Sequence, residues 1–125
     1  MIFIDTDALY NILDKNSKKG EEIFQKLEQS GEIFAITSIT LYEILYLFMR
    51  RGKDASQIHL LRVFEFSKED AQKAAELEIE LEKKGKRVLT TSLITAAIVM
   101  NKGGSLCALN KDFDDLKNVG LKLYL

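Results

Sequence analysis

The sequence predicts an α/β domain with a mainly parallel central sheet flanked by helices. Short apolar runs of strand character alternate with segments of helical periodicity, and the connections between them are short. No internal repeat, linker or low-complexity segment interrupts this pattern. We therefore expect residues 1–125 to form a single domain, which is long enough to bury a core without disulfides.

The predicted strands are brief runs of apolar and β-branched residues. They are 1–4 (MIFI), 32–38 (EIFAITS), 63–66 (VFEF), 105–109 (SLCAL) and 121–125 (LKLYL). In an open parallel sheet, ligands gather beyond the carboxyl ends of the strands, so chemistry is expected where these runs end.

The predicted helices show apolar residues at spacings of three and four. They are 5–13, 20–31, 40–52, 54–61, 67–85 and 88–103. Thr40 with Glu43, and Ser67 with Asp70, fit the capping-box pattern, and Gly31 and Gly52 are expected stops. Thr91 or Ser92 is expected to cap the last of these helices. Buried positions of the 67–85 helix are expected to include Ala71, Ala74, Ala75, Leu77 and Ile79.

Composition excludes several classes of protein. The net charge of −1 provides no overall basic field for nucleic acid, although an enzyme acting on RNA needs only a local basic rim. The single cysteine, Cys107, lies in an apolar run and is expected to fill the core of a protein in a reducing cytoplasm. No apolar run approaches the ~20 residues of a membrane span, and no leader peptide is recognisable.

Acids or amides follow three of the predicted strands. Asp5 and Asp7 come directly after the first, Glu43 lies near the start of the helix after the second, and Asn110 and Asp112 follow SLCAL. If these strands are neighbours, Asp5, Glu43 and Asp112 converge, and clustered carboxylates favour a bound cation. Oxygen ligands suit Mg²⁺ or Mn²⁺, which activate water for phosphodiester hydrolysis. The alternative is that all of these acids simply cap helices, a role that acids at helix starts commonly have.

At these residues the sequence resembles the PIN-domain family, in particular its small VapC-type toxins. The segment FIDTDALYNIL (3–13) is similar to the family's strand, Asp-Thr-Asn and helix, and AITSITLYEILYLF (35–48) to its strand and Glu-bearing helix. The segment 90–116 resembles its helix with paired alanines, the following strand, and an acid before Phe, and VGLKLYL (119–125) fits its end. The resemblance covers nearly the whole chain in order.

The resemblance implies a three-layer α/β/α domain and a cytoplasmic endoribonuclease that depends on Mg²⁺ or Mn²⁺. It also implies a homodimer that is silenced by an antitoxin protein. By the same resemblance, Asp5, Glu43 and Asp112 are the catalytic and metal-binding acids. The accessory positions at the same site are Thr6, Asp7, Ser92 and Asn110.

The sequence departs from the family pattern at three positions. Asp7 replaces the usual Asn, Ser92 replaces an Asp, and Ala108 replaces a Thr, while the Asp-or-Asn position holds Asn110. Serine binds a divalent ion more weakly than a carboxylate, so a PIN-fold protein that binds RNA or an antitoxin without cutting is the alternative. A receiver-type signalling module is disfavoured, because no acid pair with a later strand-end Lys is present.

Several other features admit two interpretations. The helix 41–49 is apolar nearly all round, which indicates either deep core or a surface shared with a partner. Arg50, Arg51 and Lys53, and the segment 82–87, are either solvated ends or contacts to RNA phosphates. Tyr10 either packs or stacks on a base. His59 is given no role, because it has no companion ligand for zinc.

Overall fold

The computed structural model describes all 125 residues and places four parallel strands in one sheet. The strands are β1 (Ile2–Ile4), β2 (Phe34–Thr37), β3 (Arg62–Phe64) and β4 (Ser105–Cys107), in the order β3-β2-β1-β4. The chain therefore adds strands to one side of β1 and then returns to its other side. This reversal leaves a crevice between β1 and β4 at their carboxyl ends, which is the usual ligand position in such sheets.

Six α-helices and one short 3₁₀ helix connect the strands. They are α1 (Thr6–Leu13), α2 (Lys18–Ser30), α3 (Ser38–Arg50), the 3₁₀ helix (Ser56–Leu60), α4 (Lys68–Lys83), α5 (Thr90–Asn101) and α6 (Asp112–Lys117). None of these helices is both long and apolar enough to cross a membrane.

Alternation of side chains along the strands builds a core on each face of the sheet. Ile2 and Ile4 point to one face, where they pack with residues of α1, α2 and α3. Phe3 points to the other face and packs with residues of α4, α5 and α6. Because successive strand residues face opposite sides, three residues of β1 serve both cores. The predicted three-layer α/β/α fold with a parallel sheet is confirmed.

Two predictions are wrong, one about the last strand and one about the buried face of α4. The segment 121–125 forms no strand beyond a single bridge between Leu106 and Leu123, because only two backbone hydrogen bonds hold it beside β4. Ile79, Ala71 and Ala75 of α4 are exposed, since α4 lies on the surface and buries a narrow stripe around Leu77 and Leu81.

Two predicted helix starts are also wrong. The helix α3 begins at Ser38, capped by the hydroxyl of Thr37, which accepts from the Thr40 backbone N–H at 3.2 Å. Thr40 and Glu43 therefore form no capping box. The helix α5 begins at Thr90, and neither Thr91 nor Ser92 caps it; the hydroxyl of Ser92 bonds to Asp112 instead. The predicted capping box of Ser67 and Asp70 at α4 is confirmed.

Asp70 is expected to contribute strongly to stability. Its side chain is buried, where it accepts hydrogen bonds from the Ser67 backbone at 2.9 Å and from the Asn101 amide at 2.8 Å. Burial would raise the pKa of Asp70, but these hydrogen bonds outweigh burial, and the pKa is lowered. A lowered pKa means that the stabilisation is present at neutral pH and is lost as the pH falls through that pKa.

We expect Asp70→Ala to lower the free energy of unfolding by about 2 kcal/mol at pH 7, because a cap and a buried partner of Asn101 are both lost. The difference from wild type should shrink in acid. Urea unfolding at pH 7 and pH 3 measures both effects. Glu69→Ala, an exposed acid on the same helical turn, is the matched control. Equal effects of the two substitutions would contradict the prediction.

Candidate functional site

A small polar cavity of about 80 Å³ opens at the carboxyl ends of β1 and β4. We call it the acidic cavity. Carboxylate, hydroxyl and amide groups dominate its lining, which consists of Asp5, Thr6, Asp7, Glu43, Leu89, Thr91, Ser92, Thr95, Asn110 and Phe113. Six of the seven residues expected at the site therefore meet there. The seventh, Asp112, is not part of this lining.

Asp5 is the most buried acid of the cavity, with 7% of its surface exposed. It follows β1 directly, and its backbone N–H donates to the Cys107 carbonyl at 2.9 Å, which ties it to the end of β4. Although Asp5 stands at the N-cap position of α1, its side chain caps no backbone N–H of that helix. The Thr40 hydroxyl donates to Asp5 Oδ1 at 3.4 Å instead. Helix capping therefore does not explain this acid.

The surroundings of Asp5 disfavour its charged form. Burial raises the pKa of Asp5 to about 6, and the negative charges of Glu43 and Asp7 add to this rise. The Thr6 backbone N–H, which lies near the carboxylate without forming a capping hydrogen bond of normal geometry, and the Thr40 hydroxyl offset only part of it. No Lys or Arg lines the cavity, so no protein cation stands among these acids inside it. A perturbed acid in a cleft is a common mark of a functional site.

Glu43 comes to the cavity from the second turn of α3. Its Oε1 accepts a hydrogen bond from the Thr6 hydroxyl at 2.6 Å, which joins α3 to the start of α1. The carboxylate remains partly exposed at the cavity. Glu43 caps no helix, so helix capping does not explain why this acid lies at the cavity.

Asp112 lies behind Ser92 at the start of α5. Its Oδ2 accepts from the Leu89 backbone N–H at 3.0 Å and from the Ser92 hydroxyl at 3.2 Å. Its own backbone N–H donates to Asn110 Oδ1 at 2.9 Å. Asp112 thus reaches the cavity through Ser92 and Asn110, which line it, and does not cap its own helix.

The donor set of the acidic cavity suits one hard divalent cation. Asp5 and Glu43 provide carboxylates, while Thr6, Ser92 and Asn110 provide neutral oxygens, and neither His nor Cys lines the cavity. No group of three or more acidic, His or Cys residues is arranged to hold a metal ion. Mg²⁺ commonly uses one or two carboxylates and keeps waters for phosphate oxygens, so two carboxylates suffice for that kind of site.

A chain of buried threonines behind Asp5 escaped the sequence analysis. The Thr37 and Thr40 hydroxyls lie 3.5 Å apart, and Thr40 contacts Asp5. Thr95 of α5, also buried, lines the cavity. The signal in the sequence was the pair Thr37 and Thr40 shortly before Glu43, of which the capping interpretation used only Thr40.

Comparison with known proteins assigns a family and a fold. The family model described as PIN domain matches residues 2–119. No curated protein matches the sequence.

Several solved structures have the same fold. VapBC2 from Rickettsia felis, bound to a DNA fragment from its promoter, is 24% identical with a TM-score of 0.77, covering 99% of this chain and 98% of that one. VapC20 from Mycobacterium tuberculosis, a toxin that cleaves the sarcin-ricin loop, is 18% identical with a TM-score of 0.74, covering 97% and 96%. FitAcB from Neisseria gonorrhoeae is 16% identical with a TM-score of 0.77, covering 100% and 97%.

Proposed function

The chain belongs to the PIN-domain family, and from this premise we propose that it is a VapC-type toxin. In this proposal residues 1–125 form one domain, a divalent-metal-dependent endoribonuclease of the cytoplasm that cleaves RNA phosphodiester bonds and is controlled by an antitoxin. The observation that carries the proposal is the meeting of Asp5 and Glu43 in one polar cavity without a protein cation. The similarity of the chain to VapC20, a toxin that cleaves the sarcin-ricin loop, supports RNA as the substrate class.

The residues of the cavity divide the work in the following way. Asp5 and Glu43 would hold Mg²⁺ or Mn²⁺, which supplies charge neutralisation and an activated water. Thr6 fixes the Glu43 carboxylate, and Thr40 fixes that of Asp5. Asp112, through Ser92 and Asn110, orders the side of the cavity opposite these acids and adds negative charge near it.

Asp7 is the accessory acid of the proposed site. It is exposed at the cavity, and its charge contributes to the raised pKa of Asp5. An acid at this position partly replaces the negative charge that is lost where Ser92 stands. In this proposal Asp7 contributes negative charge to the site and does not bind the metal directly.

An exposed apolar face of α3 supports the proposed homodimer. Tyr42, Tyr46 and Met49 are 66%, 52% and 72% exposed, and with Leu41 and Leu45 they line a groove of about 470 Å³. An apolar patch of this kind on a small domain marks a protein interface. We assign it to a second copy of the chain, as the resemblance to VapC-type toxins implies, and the antitoxin is the second protein partner of the proposal.

The alternative is a PIN-fold protein that binds RNA or an antitoxin without cutting. Ser92 favours it, because a neutral hydroxyl lines the cavity where the family resemblance places a carboxylate. The absence of a three-acid metal group favours it too. Cleavage separates the two functions, since both include binding.

Cleavage of a single-stranded RNA tests the proposal. We expect wild type to cut in Mn²⁺ and to stop in EDTA. We expect Glu43→Gln to slow cutting by about 10- to 100-fold, with recovery at higher Mn²⁺, because the partly exposed Glu43 tunes metal affinity. Glu22→Gln, an exposed acid on α2, is the control. Wild-type cutting that is indifferent to EDTA would contradict the metal-dependent mechanism.

A further inference from the structure

A second cleft opens beside the acidic cavity, and we call it the basic cleft. It has a volume of about 260 Å³ and is lined by Asp7, Tyr10, Asn11, Leu47 and Arg51. Asp7 lines both cavities, so the two are neighbours on one surface. Arg51 is the one cationic residue among those that line either of them.

Two cations converge on one aromatic ring at the basic cleft. The Arg51 guanidinium carbon lies 5.3 Å from the centroid of the Tyr10 ring, and Lys53 Nζ lies 5.4 Å from the same centroid. Arg51 also donates a hydrogen bond to the Tyr10 hydroxyl. The Tyr10 ring is itself held by an edge contact to Phe48, whose centroid lies 6.0 Å away. The packed ring therefore holds both cations together, with Arg51 in the cleft that adjoins the acidic cavity.

Neither cation forms a salt bridge, although Asp7 lines the same cleft as Arg51. The single salt bridge of the chain joins the Met1 amino group to Glu32, far from this cleft in the sequence. Arg51 and Lys53 thus carry two like charges against one ring without a carboxylate partner. An anion bound between or beside them would relieve their repulsion, and arginine and lysine are the side chains that bind phosphate best.

We propose that Arg51 and Lys53 form a subsite for a backbone phosphate of single-stranded RNA next to the scissile one. The proposal rests on the nuclease function proposed above and adds the path of the substrate. The acidic cavity repels the polyanion, and Arg51 of the adjoining cleft, together with Lys53 on the same Tyr10 ring, provides an attraction that can hold it there. Tyr10 is a positioning residue, because it acts through the cations that it holds.

Direct binding tests this subsite independently of cleavage. A fluorescent 12-nucleotide single-stranded RNA of mixed sequence is titrated with the full chain carrying Asp5→Asn, in EDTA, at several salt concentrations. We expect Arg51→Ala with Lys53→Ala to weaken binding about tenfold at 0.1 M salt and to reduce the salt slope by about 0.7, the value for one phosphate of a single strand that is no longer neutralised.

The chain offers a matched control in Arg62 and Lys102. These two cations lie 4.9 and 5.4 Å from the Phe64 ring centroid, outside both cavities. Arg62→Ala with Lys102→Ala removes the same charge from the same kind of cluster, and we expect less than about a twofold change. Equal losses in the two double variants would overturn the subsite in favour of general electrostatic attraction. So would RNA binding that is unaffected by loss of Arg51 and Lys53.

Two further measurements separate this proposal from the nuclease function and from a protein ligand. In otherwise wild-type chain, loss of Arg51 and Lys53 is expected to raise KM about tenfold with little change in kcat, since the contact is made equally before and during the reaction. Cleavage with an unchanged KM would overturn the subsite and leave the nuclease intact. If binding of a polyglutamate peptide requires both cations and binding of RNA does not, the RNA subsite is overturned, and the cations bind an acidic protein segment instead.

Discussion

Asp5→Asn is expected to slow RNA cleavage by at least about a thousandfold, because it removes the central carboxylate of the acidic cavity. The same substitution is expected to make the metal-free protein more stable at pH 7. Asp5 is 7% exposed, and burial raises its pKa to about 6. Keeping this group ionised at pH 7 therefore costs about 2 to 3 kcal/mol of folding free energy. Asn has nearly the same shape and carries no charge, so we expect a gain of about 1 to 3 kcal/mol.

The pH dependence of this gain follows from the direction of the shift. Because the pKa of Asp5 is higher in the folded state than in the unfolded state, protonation of Asp5 favours folding. This stabilisation is fully present at pH values below the unfolded pKa and is lost as the pH rises through about 6. The stability difference between Asp5→Asn and wild type should therefore be small near pH 4 and reach its full value above about pH 6.5. Urea unfolding in EDTA at several pH values measures it.

Metal binding provides a second measurement that does not depend on RNA. Mn²⁺ is expected to raise the Tm of wild type, because an ion that binds only the folded state stabilises it. Asp5→Asn should abolish this rise. Asp114→Asn, an exposed acid on α6, is the control and should change neither stability nor the response to Mn²⁺. If Asp5→Asn is instead less stable than wild type at pH 7, the Asp5 carboxylate stabilises the fold, and the prediction is contradicted.

The layers of the fold were predictable, because they depend on periodicity. Strand runs of three or four apolar residues, separated by helices with apolar faces, admit few arrangements other than a parallel sheet with helices on both sides. Ile2, Phe3 and Ile4 illustrate this, since strand alternation alone sends them to opposite cores. The meeting of Asp5 and Glu43 followed from the same logic, as each comes soon after a strand of one sheet.

Hydrogen-bond partners were not predictable, because local and distant partners compete for the same groups. Thr40 and Glu43 match a capping box by spacing, yet Thr37 caps the helix, Thr40 contacts Asp5 and Glu43 binds Thr6. Each of these distant partners is 35 or more positions away in the chain, where sequence spacing carries no information. The start of α5 differs from its expected cap for a similar reason, since the Ser92 hydroxyl donates to Asp112, the first residue of α6.

Ser92→Asp is expected to increase the affinity for Mn²⁺ at least about tenfold, because it adds a carboxylate to a cavity that already holds those of Asp5 and Glu43. The same substitution should destabilise the metal-free protein. The Ser92 hydroxyl donates to Asp112 Oδ2 at 3.2 Å, and a carboxylate in its place loses this bond and repels Asp112. We expect a loss of about 1 to 3 kcal/mol in EDTA, which Mn²⁺ reverses.

Ser92→Asn separates charge from hydrogen bonding, since it has the size of Asp without the carboxylate. Asn should leave Mn²⁺ affinity low, so equal Mn²⁺ titrations for the Asp and Asn variants would place Ser92 outside the metal site. The RNA assay then decides between the two functions. Cutting by wild type, accelerated at low Mn²⁺ by Ser92→Asp, supports an active nuclease tuned to weak metal binding. A silent wild type with a cutting Ser92→Asp variant identifies a PIN-fold protein that lost cleavage at this residue, and silence of both contradicts the nuclease function.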